Sequence, residues 1–320
     1  MIKRIALLTS GGDAPGMNAA IRAVVRTAIY YDIEVIGYKR GYTGLIHGDF
    51  MNMNLGSVAD IIHRGGTILQ TDRCQEFFSH EGRVKAMTNM RGLDIEGLIA
   101  IGGDGTLRGA AELNKLGMPA IGIPGTIDND IAKTDRTIGF DTVVNTVLDA
   151  VNKIRDTATS HERIFIIEVM GRNSGAIALA AGLAGGAESI LIPEIPLNLE
   201  EIVENVKRGR SRGKRHSIII LAEGVAQSME ITRQIGELTG LETRLSILGY
   251  IQRGGTPSAQ DRILASRMGA MAVKMLMNGE SDKMVASQAE EVIGIDLGQV
   301  LAQTKTINHW DYELAGILSI

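Results

Sequence analysis

The stretch Gly97-Leu98-Ile99-Ala100-Ile101-Gly102-Gly103-Asp104-Gly105-Thr106 is a short apolar run that ends in a glycine-rich acidic loop. The same grammar recurs at Ala120-Ile121-Gly122-Ile123-Pro124-Gly125-Thr126-Ile127-Asp128-Asn129-Asp130. Brief uncharged runs of this kind read as strands buried on both faces, the mark of a parallel sheet. In an open parallel sheet the carboxyl ends of the strands form the ligand crevice, so the two loops are expected side by side there. Together they offer the carboxylates of Asp104, Asp128 and Asp130 and the hydroxyls of Thr106 and Thr126. Their glycines let backbone amides approach a phosphate closely. That equipment suits magnesium-dependent phosphoryl transfer.

Working outward, strand-like runs at 5–9, 34–38, 164–169, 189–192 and 217–222 join those at 98–101 and 120–123. Helical patterns at 17–30, 107–116, 141–157, 176–183, 199–208 and 259–277 alternate with them. Within 141–157, Val144, Val147, Leu148, Val151 and Ile154 recur at helical spacing. The alternation predicts an α/β fold of parallel sheets with helices on both faces, built twice. No proline- or serine-rich linker divides the chain, and a change of domain is expected near Gly139-Phe140-Asp141.

The chain has 320 residues, 44% hydrophobic and 22% charged, enough for about two domains with substantial cores. A net charge of −4 gives no basic field for nucleic acid or anionic membrane, so neither is expected as a partner. Cys74 is the only cysteine, which fits a reducing compartment. The apolar N-terminus stops at Ser10-Gly11-Gly12-Asp13 without a cleavage pattern, unlike a secretory signal. The longest uncharged stretch, 173–187, is shorter than the ~20 residues a membrane helix needs. These features predict a soluble, cytoplasmic protein.

Other turns carry candidate chemistry. Thr9-Ser10-Gly11-Gly12-Asp13 closes the first strand, and a nucleotide's terminal phosphate would approach at Gly12; a βα turn that needs glycine only for geometry is the plain alternative. Asp104 suits a cation bridging phosphates or, more simply, a helix cap. Asp128 and Asp130, two apart, would point the same way in an extended segment, one for metal and one for a proton; the alternative is an Asx-rich turn. Arg172, in Met170-Gly171-Arg172-Asn173, suits charge developing on a transferred phosphoryl group. Glu223 ends the 217–222 strand, and Arg244 and Arg253 bracket 245–252, a set that suits a sugar phosphate. Arg22 and Arg26 share a helix face and, with Arg155, Arg212, Lys214 and Arg215, form a second basic group: an anion site or a solvated face. The six histidines have no metal-ligand spacing.

Taken together, these motifs resemble the bacterial ATP-dependent 6-phosphofructokinases over nearly the whole chain. Further strings carry the likeness: Gly65-Gly66-Thr67, Arg73-Cys74, Lys153-Ile154-Arg155-Asp156-Thr157, Ser160-His161-Glu162-Arg163 and Gln252-Arg253-Gly254-Gly255. The resemblance implies two doubly wound, mostly parallel-sheet domains facing each other across an active-site cleft. Residues 1–139 plus 252–302 would form a larger ATP-binding domain, and 140–251 plus 303–320 a smaller fructose 6-phosphate-binding domain. It implies that ATP phosphorylates the 1-hydroxyl of fructose 6-phosphate, with Asp128 as base, assisted by Arg172 and Thr126, and with Mg2+ served by Asp104 and Asp130. Gly12, Tyr42, Arg73, Cys74, Gly103, Asp104, Gly105 and Thr106 would line the nucleotide site. Thr126, Asp128, Asp130, Met170, Gly171, Arg172, Glu223, Tyr250 and Arg253 would hold the sugar phosphate, joined by Arg163 and Arg244 from a neighbour in a homotetramer. Arg22, Arg26, Arg155, Glu188, Arg212 and Lys214 would form an effector site where ADP or GDP activates and phosphoenolpyruvate inhibits.

Pyrophosphate-using relatives carry Asp in place of Gly105 and Lys in place of Gly125. Two glycines leave room for an α-phosphate, so the expected donor is ATP. Tyr250 stands where the family usually has His, Ala176 where it has Asp, Leu55 where some members have an effector-binding arginine, and Asp72 adds a negative charge beside Arg73. An effector-binding paralogue with weak catalysis and a kinase for another sugar phosphate stay open at this point. A lipid or NAD kinase with the same Gly102–Thr106 string would leave Asp128, Asp130 and the Glu223–Arg253 set unexplained.

Overall fold

The computed structural model describes residues 2–319. In chain order the elements are β1 (Arg4–Ser10), α1 (Met17–Tyr30), β2 (Glu34–Tyr38), α2 (Tyr42–His47), β3 (Phe50–Met53), α3 (His80–Arg91), β4 (Gly97–Gly102), α4 (Asp104–Lys115), β5 (Ala120–Pro124) and α5 (Phe140–His161). They continue with β6 (Ile164–Val169), α6 (Ala176–Gly185), β7 (Ser189–Leu191), α7 (Leu199–Ser211), β8 (Ser217–Ala222), α8 (Ser228–Thr239) and β9 (Thr243–Ile247). The chain closes with α9 (Ala259–Met277), β10 (Lys283–Gln288), β11 (Glu291–Asp296), α10 (Leu297–Leu301) and α11 (His309–Leu318).

Two compact units result. The first comprises the chain up to Ile127, Ile131–Thr142 and Arg253–Lys305; the second comprises Asp128–Asp130, Val143–Gln252 and the chain from Thr306. The first holds a seven-stranded sheet in the order β11-β10-β5-β4-β1-β2-β3. Its inner strands are parallel, and β3 and β11 pair antiparallel at the two edges. Every residue of β4 and β5 is buried, which is why both read as unbroken apolar runs. Helix α1 presents Met17, Ile21, Val24, Val25 and Ala28 inward. It packs on α9 where Gly269 has no Cβ; one there would come within 2.7 Å of the Ala23 Cβ.

The second unit holds a four-stranded, all-parallel sheet in the order β7-β8-β6-β9. Ile164, Ile166, Ile219, Leu221, Ile231 and Ile235 form its core against α7 and α8. The β-branched run of β8 is buried at all positions.

Several elements differ from the sequence reading. Helix α4 starts at Asp104, three residues before the expected 107, because Gly103 takes the N-cap position and a carboxylate in the first turn suits the helix dipole. Helix α5 runs on to His161 rather than stopping at 157. Helix α3 escaped the reading because its buried face is only Gly82, Ala86, Met87 and Met90 among polar neighbours. Strands β3, β9, β10 and β11 escaped it because edge and half-exposed strands lack an unbroken apolar run.

Candidate active site

In the first sheet β1 is flanked by β2 on one side and β4 on the other, so the strand order reverses there. Such a switch point opens a crevice at the carboxyl ends of the strands. The turn after β1 and the start of α4 meet in it. The Thr106 hydroxyl donates to the Ser10 carbonyl at 3.0 Å. The Gly102 position leaves no space for a side chain beside Thr106 and the Ser10 carbonyl. The amino end of α4 thus faces this turn with a positive helix end suited to phosphate.

Asp104 opens α4 and pairs with Arg108 at 2.8 Å, its carboxylate half exposed. Tyr42 is 4% exposed, with its ring stacked on Phe77 at 4.0 Å between centroids. Its hydroxyl donates to the Thr106 carbonyl at 2.6 Å, and burial pushes its phenol up. The structure therefore gives Tyr42 the part of bracing this loop from behind. Asp72 accepts from the Thr43 hydroxyl at 3.0 Å and from the Arg73 N–H at 2.7 Å, so its charge is engaged locally. Cys74 is partly buried against the first unit's core.

The neighbouring strands β4 and β5 place Gly102 opposite Pro124, and the Gly125 N–H donates to the Gly102 carbonyl at 3.0 Å. The two acidic loops therefore leave adjacent strand ends, and a Cβ at Gly103 would stand 3.7 Å from that of Thr126. The extended segment expected for Asp128–Asp130 is corrected by the structure. Ile127 and Asp128 lie in a turn, and Asn129 takes a left-handed φ of 49°. Asn tolerates that region, and Asx side chains favour turns through local hydrogen bonds. The period-of-two argument, which holds for extended chain, therefore does not apply to Asp128 and Asp130.

In the second unit the carboxyl edge of the sheet gathers Met170, Gly171, Arg172, Glu223 and Tyr250. Glu223 Oε1 accepts from the Arg172 N–H at 2.8 Å, so Glu223 holds the backbone that presents Arg172. Arg172 is itself left-handed, with φ of 56°. The Met170 N–H donates to Gln252 Oε1 at 3.1 Å. Gln252, fully buried, braces the backbone at Met170; sequence reasoning quoted it beside Arg253 but gave it no role, since a lone amide carries no signal of its own. Tyr250 is 82% exposed in a short 3-10 turn. Arg253, assigned to the first unit, lays its guanidinium on Gly12, where any Cβ would collide with it, and its buried Nε has no protein partner.

Arg163 and Arg244 lie at the opposite, amino edge of the second sheet. Both pair with Glu242, Arg163 at 2.7 Å, and Arg163 holds that carboxyl below the usual range with help from Arg244. Sequence reasoning missed Glu242 as their shared partner. Strand β6 has six residues, about 20 Å at the rise of a strand. Within one chain Arg163 and Arg244 therefore stand too far from Arg172 and Glu223 to share a ligand with them. Glu162, next to Arg163, pairs instead with Arg215 at 2.6 Å.

Of the second basic group, Arg155, Arg212 and Lys214 come together near Glu188 in the second unit. Lys214 pairs with the buried Glu188, which also accepts from the Ile218 N–H. Arg155 donates to the Gly185 carbonyl just before them. A cavity of about 120 Å³ is lined by Glu188, Arg208, Arg212, Lys214, Ser217 and Ser319. Burial lowers the nearby His216 imidazole, and Glu188 opposes that shift. Arg22 and Arg26 lie on α1 of the first unit. Among the described residues no three His, Cys, Asp or Glu side chains converge as a metal cage. No helix there is long and apolar enough to cross a membrane.

Two α/β units with glycine and carboxylate turns at the carboxyl edges of parallel strands make a phosphotransferase scaffold. Residues 4–276 match the Phosphofructokinase family. The chain is 58% identical to the ATP-dependent 6-phosphofructokinases of Halothermothrix orenii and Bacillus subtilis, over 100% of each chain. It superimposes on the phosphofructokinase of Saccharomyces cerevisiae with a TM-score of 0.89 at 36% identity, covering 99% of this chain and 48% of that one. It also superimposes on a pyrophosphate-dependent phosphofructokinase from Marinobacter aquaeolei with a TM-score of 0.85 at 26% identity, covering 96% and 86%. The chain belongs to the phosphofructokinase family and is a phosphotransferase. Within that family it stands with the bacterial ATP-dependent 6-phosphofructokinases.

Proposed function

We propose that this enzyme transfers the γ-phosphoryl group of ATP to the 1-hydroxyl of fructose 6-phosphate, giving fructose 1,6-bisphosphate and ADP, in the cytoplasm and as a step of glycolysis. The observation that carries this reading is the pairing of β4 with β5, which sets the Gly103–Thr106 and Gly125–Asp130 loops at adjacent strand ends. In this reading the backbone amides at Gly12 and at the start of α4 receive the nucleotide phosphates, with Arg73 and Cys74 along the same site. Asp128 takes the proton from the attacking hydroxyl. Arg172 balances charge on the transferring group. Thr126, Met170, Gly171, Tyr250, Arg253 and Glu223 hold the sugar phosphate.

Asp104 and Asp130 would hold Mg2+, which supplies charge neutralisation between phosphates when bound. Mg2+ uses one or two carboxylates plus phosphate oxygens and water rather than an all-protein cage. The exposed Asp104 carboxylate fits that demand.

The donor is testable locally. A Cβ at Gly105 would meet nothing within 4 Å, so the fold has room for a side chain there that a nucleotide would then encounter. Gly105→Asp is expected to keep or raise Tm, since an acid in the first turn suits the helix. It should cut kcat/KM for ATP by about tenfold or more, ~1.4 kcal/mol of lost binding. Steady-state kinetics with a melting curve checks this, and an unchanged kcat/KM would remove Gly105 from the nucleotide site.

Sharing between subunits is the reading for the remaining residues. The amino-edge position of Arg163 and Arg244 supports their service to a second copy's sugar phosphate in a homotetramer. Arg155, Glu188, Arg212 and Lys214, with Arg22 and Arg26, are read as an effector site activated by ADP or GDP and inhibited by phosphoenolpyruvate. The basic cavity beside Glu188 supports an anion there. Initial rates of ADP formation with Mg-ATP, titrating fructose 6-phosphate with and without added ADP, test both parts. Turnover establishes the substrate pair, and a sigmoid curve straightened by ADP establishes the effector site. No turnover with folded enzyme would refute the substrate assignment.

A further inference from the structure

Asp261 has no part in the chemistry above, yet at 1% exposure it is the most deeply buried carboxylate among the described residues. It lies in the first turn of α9, whose N-cap Ser258 accepts from the Asp261 N–H at 3.2 Å. Its carboxylate accepts three hydrogen bonds, from the Gly139 N–H at 2.9 Å, the Thr142 N–H at 2.8 Å and the Thr142 hydroxyl at 2.5 Å. Ser258 completes the tie, its N–H donating to the Thr142 hydroxyl oxygen at 3.0 Å and its own hydroxyl to Asp141 at 2.6 Å. One carboxylate thus joins the amino ends of α5 and α9, both positive through their aligned peptide dipoles.

Burying a charge is a poor way to gain stability, because well-packed apolar side chains do as well. What Asp261 secures is the position of the segment just before α5. That segment touches the Pro124–Ile127 loop and the turn after β1. The Thr137 hydroxyl donates to the Thr126 carbonyl at 2.6 Å. The Ile138 N–H donates to the Pro124 carbonyl at 3.0 Å, and Ile138 bridges to Gly125. Gly139 has φ of 104°, and a Cβ there would come within 2.8 Å of Ala14 and 3.3 Å of Ile127. Ile138 in turn fills the space a side chain at Gly16 would need, 2.7 Å away.

We propose that Asp261 is a positioning residue for phosphoryl transfer: by clamping residues 139–142 it fixes Thr137 and Ile138 against Gly125 and Thr126, and so sets the backbone from which Asp128 projects. The inference rests on the reading of Asp128 as the base.

Asp261→Asn exchanges one acceptor oxygen for a donor that faces N–H groups. It should lower kcat by about 10-fold to 10²-fold, the scale of a misplacement near 1 Å, while KM for ATP stays within about twofold. Thr137→Val, which removes only the hydroxyl on Thr126, should produce a smaller loss of the same kind. Because both act through one segment, the double variant should lose less than the product of the single losses. Should Asp261→Asn fail to fold, Thr142→Val, which deletes the 2.5 Å contact and the Ser258 N–H bond to the same hydroxyl but keeps the Asp261 carboxylate, takes its place in the same cycle. A folded variant with full kcat overturns the proposal, as does a cycle in which the losses multiply or a lower Tm with unchanged kcat per folded site. Full activity in Asp128→Asn would instead overturn the base assignment beneath it.

Discussion

Asp128→Asn is expected to leave a folded enzyme whose kcat is lower by about 10²–10⁴-fold, the contribution of a positioned general base. The amide is nearly isosteric with the carboxylate but cannot accept a proton from an attacking hydroxyl. The turn that carries it is shaped by its neighbours: Asn129 supplies the left-handed residue, and Thr126 is held by Thr137. The substitution should therefore spare Tm and the half-saturation for fructose 6-phosphate while removing turnover. Single-turnover measurement of phosphoryl transfer with saturating ATP separates the chemical step from product release. A rate within threefold of the unaltered enzyme would move the base elsewhere.

Arg172→Ala should cost about 10²–10³-fold in kcat, or about 2.7–4 kcal/mol, if the guanidinium meets charge that develops only in the transition state. The backbone at Arg172 complicates a simple truncation, because φ of 56° is unfavourable for alanine and relaxed for glycine. Arg172→Gly is the useful companion. It should lose the same kcat while keeping or raising Tm, since glycine accepts this conformation freely. The Glu223 bond to the residue 172 N–H survives in both variants, so the loop should stay in place. If either variant raises KM for fructose 6-phosphate with kcat intact, Arg172 binds the ground state and not the transition state.

The pairing of the acidic loops was legible in the sequence because β4 and β5 are buried on both faces. Their runs are apolar without interruption, and glycine and proline end them sharply. Asp104 was read as a cation ligand or a cap of the next helix; the structure seats it one residue past the N-cap Gly103, as the first residue of α4, since a Gly-Asp-Gly string does not by itself show where the helix begins. The extended backbone expected over Asp128–Asp130 was misjudged for a physical reason: a period of two has meaning only in extended chain, and Asn129 turns the chain there. Tyr42, Gln252 and Glu242 act through partners 64, 82 and 79 residues away, at Thr106, Met170 and Arg163, and no local pattern announces such contacts. Asp261 gave no signal for the same reason, as an acid in a first helical turn reads as ordinary capping.

By itself the sequence determined the alternation of buried strands and helices, the family, and the residue types available at each strand end, because burial and turn chemistry are local properties written in composition and spacing. Only the tertiary structure decided which edge of a sheet each group occupies. It set Arg163 and Arg244 at the amino edge, away from Arg172 and Glu223, and set Asp261 between the starts of two helices. Those choices depend on strand order and register, which arise from packing between segments far apart along the chain.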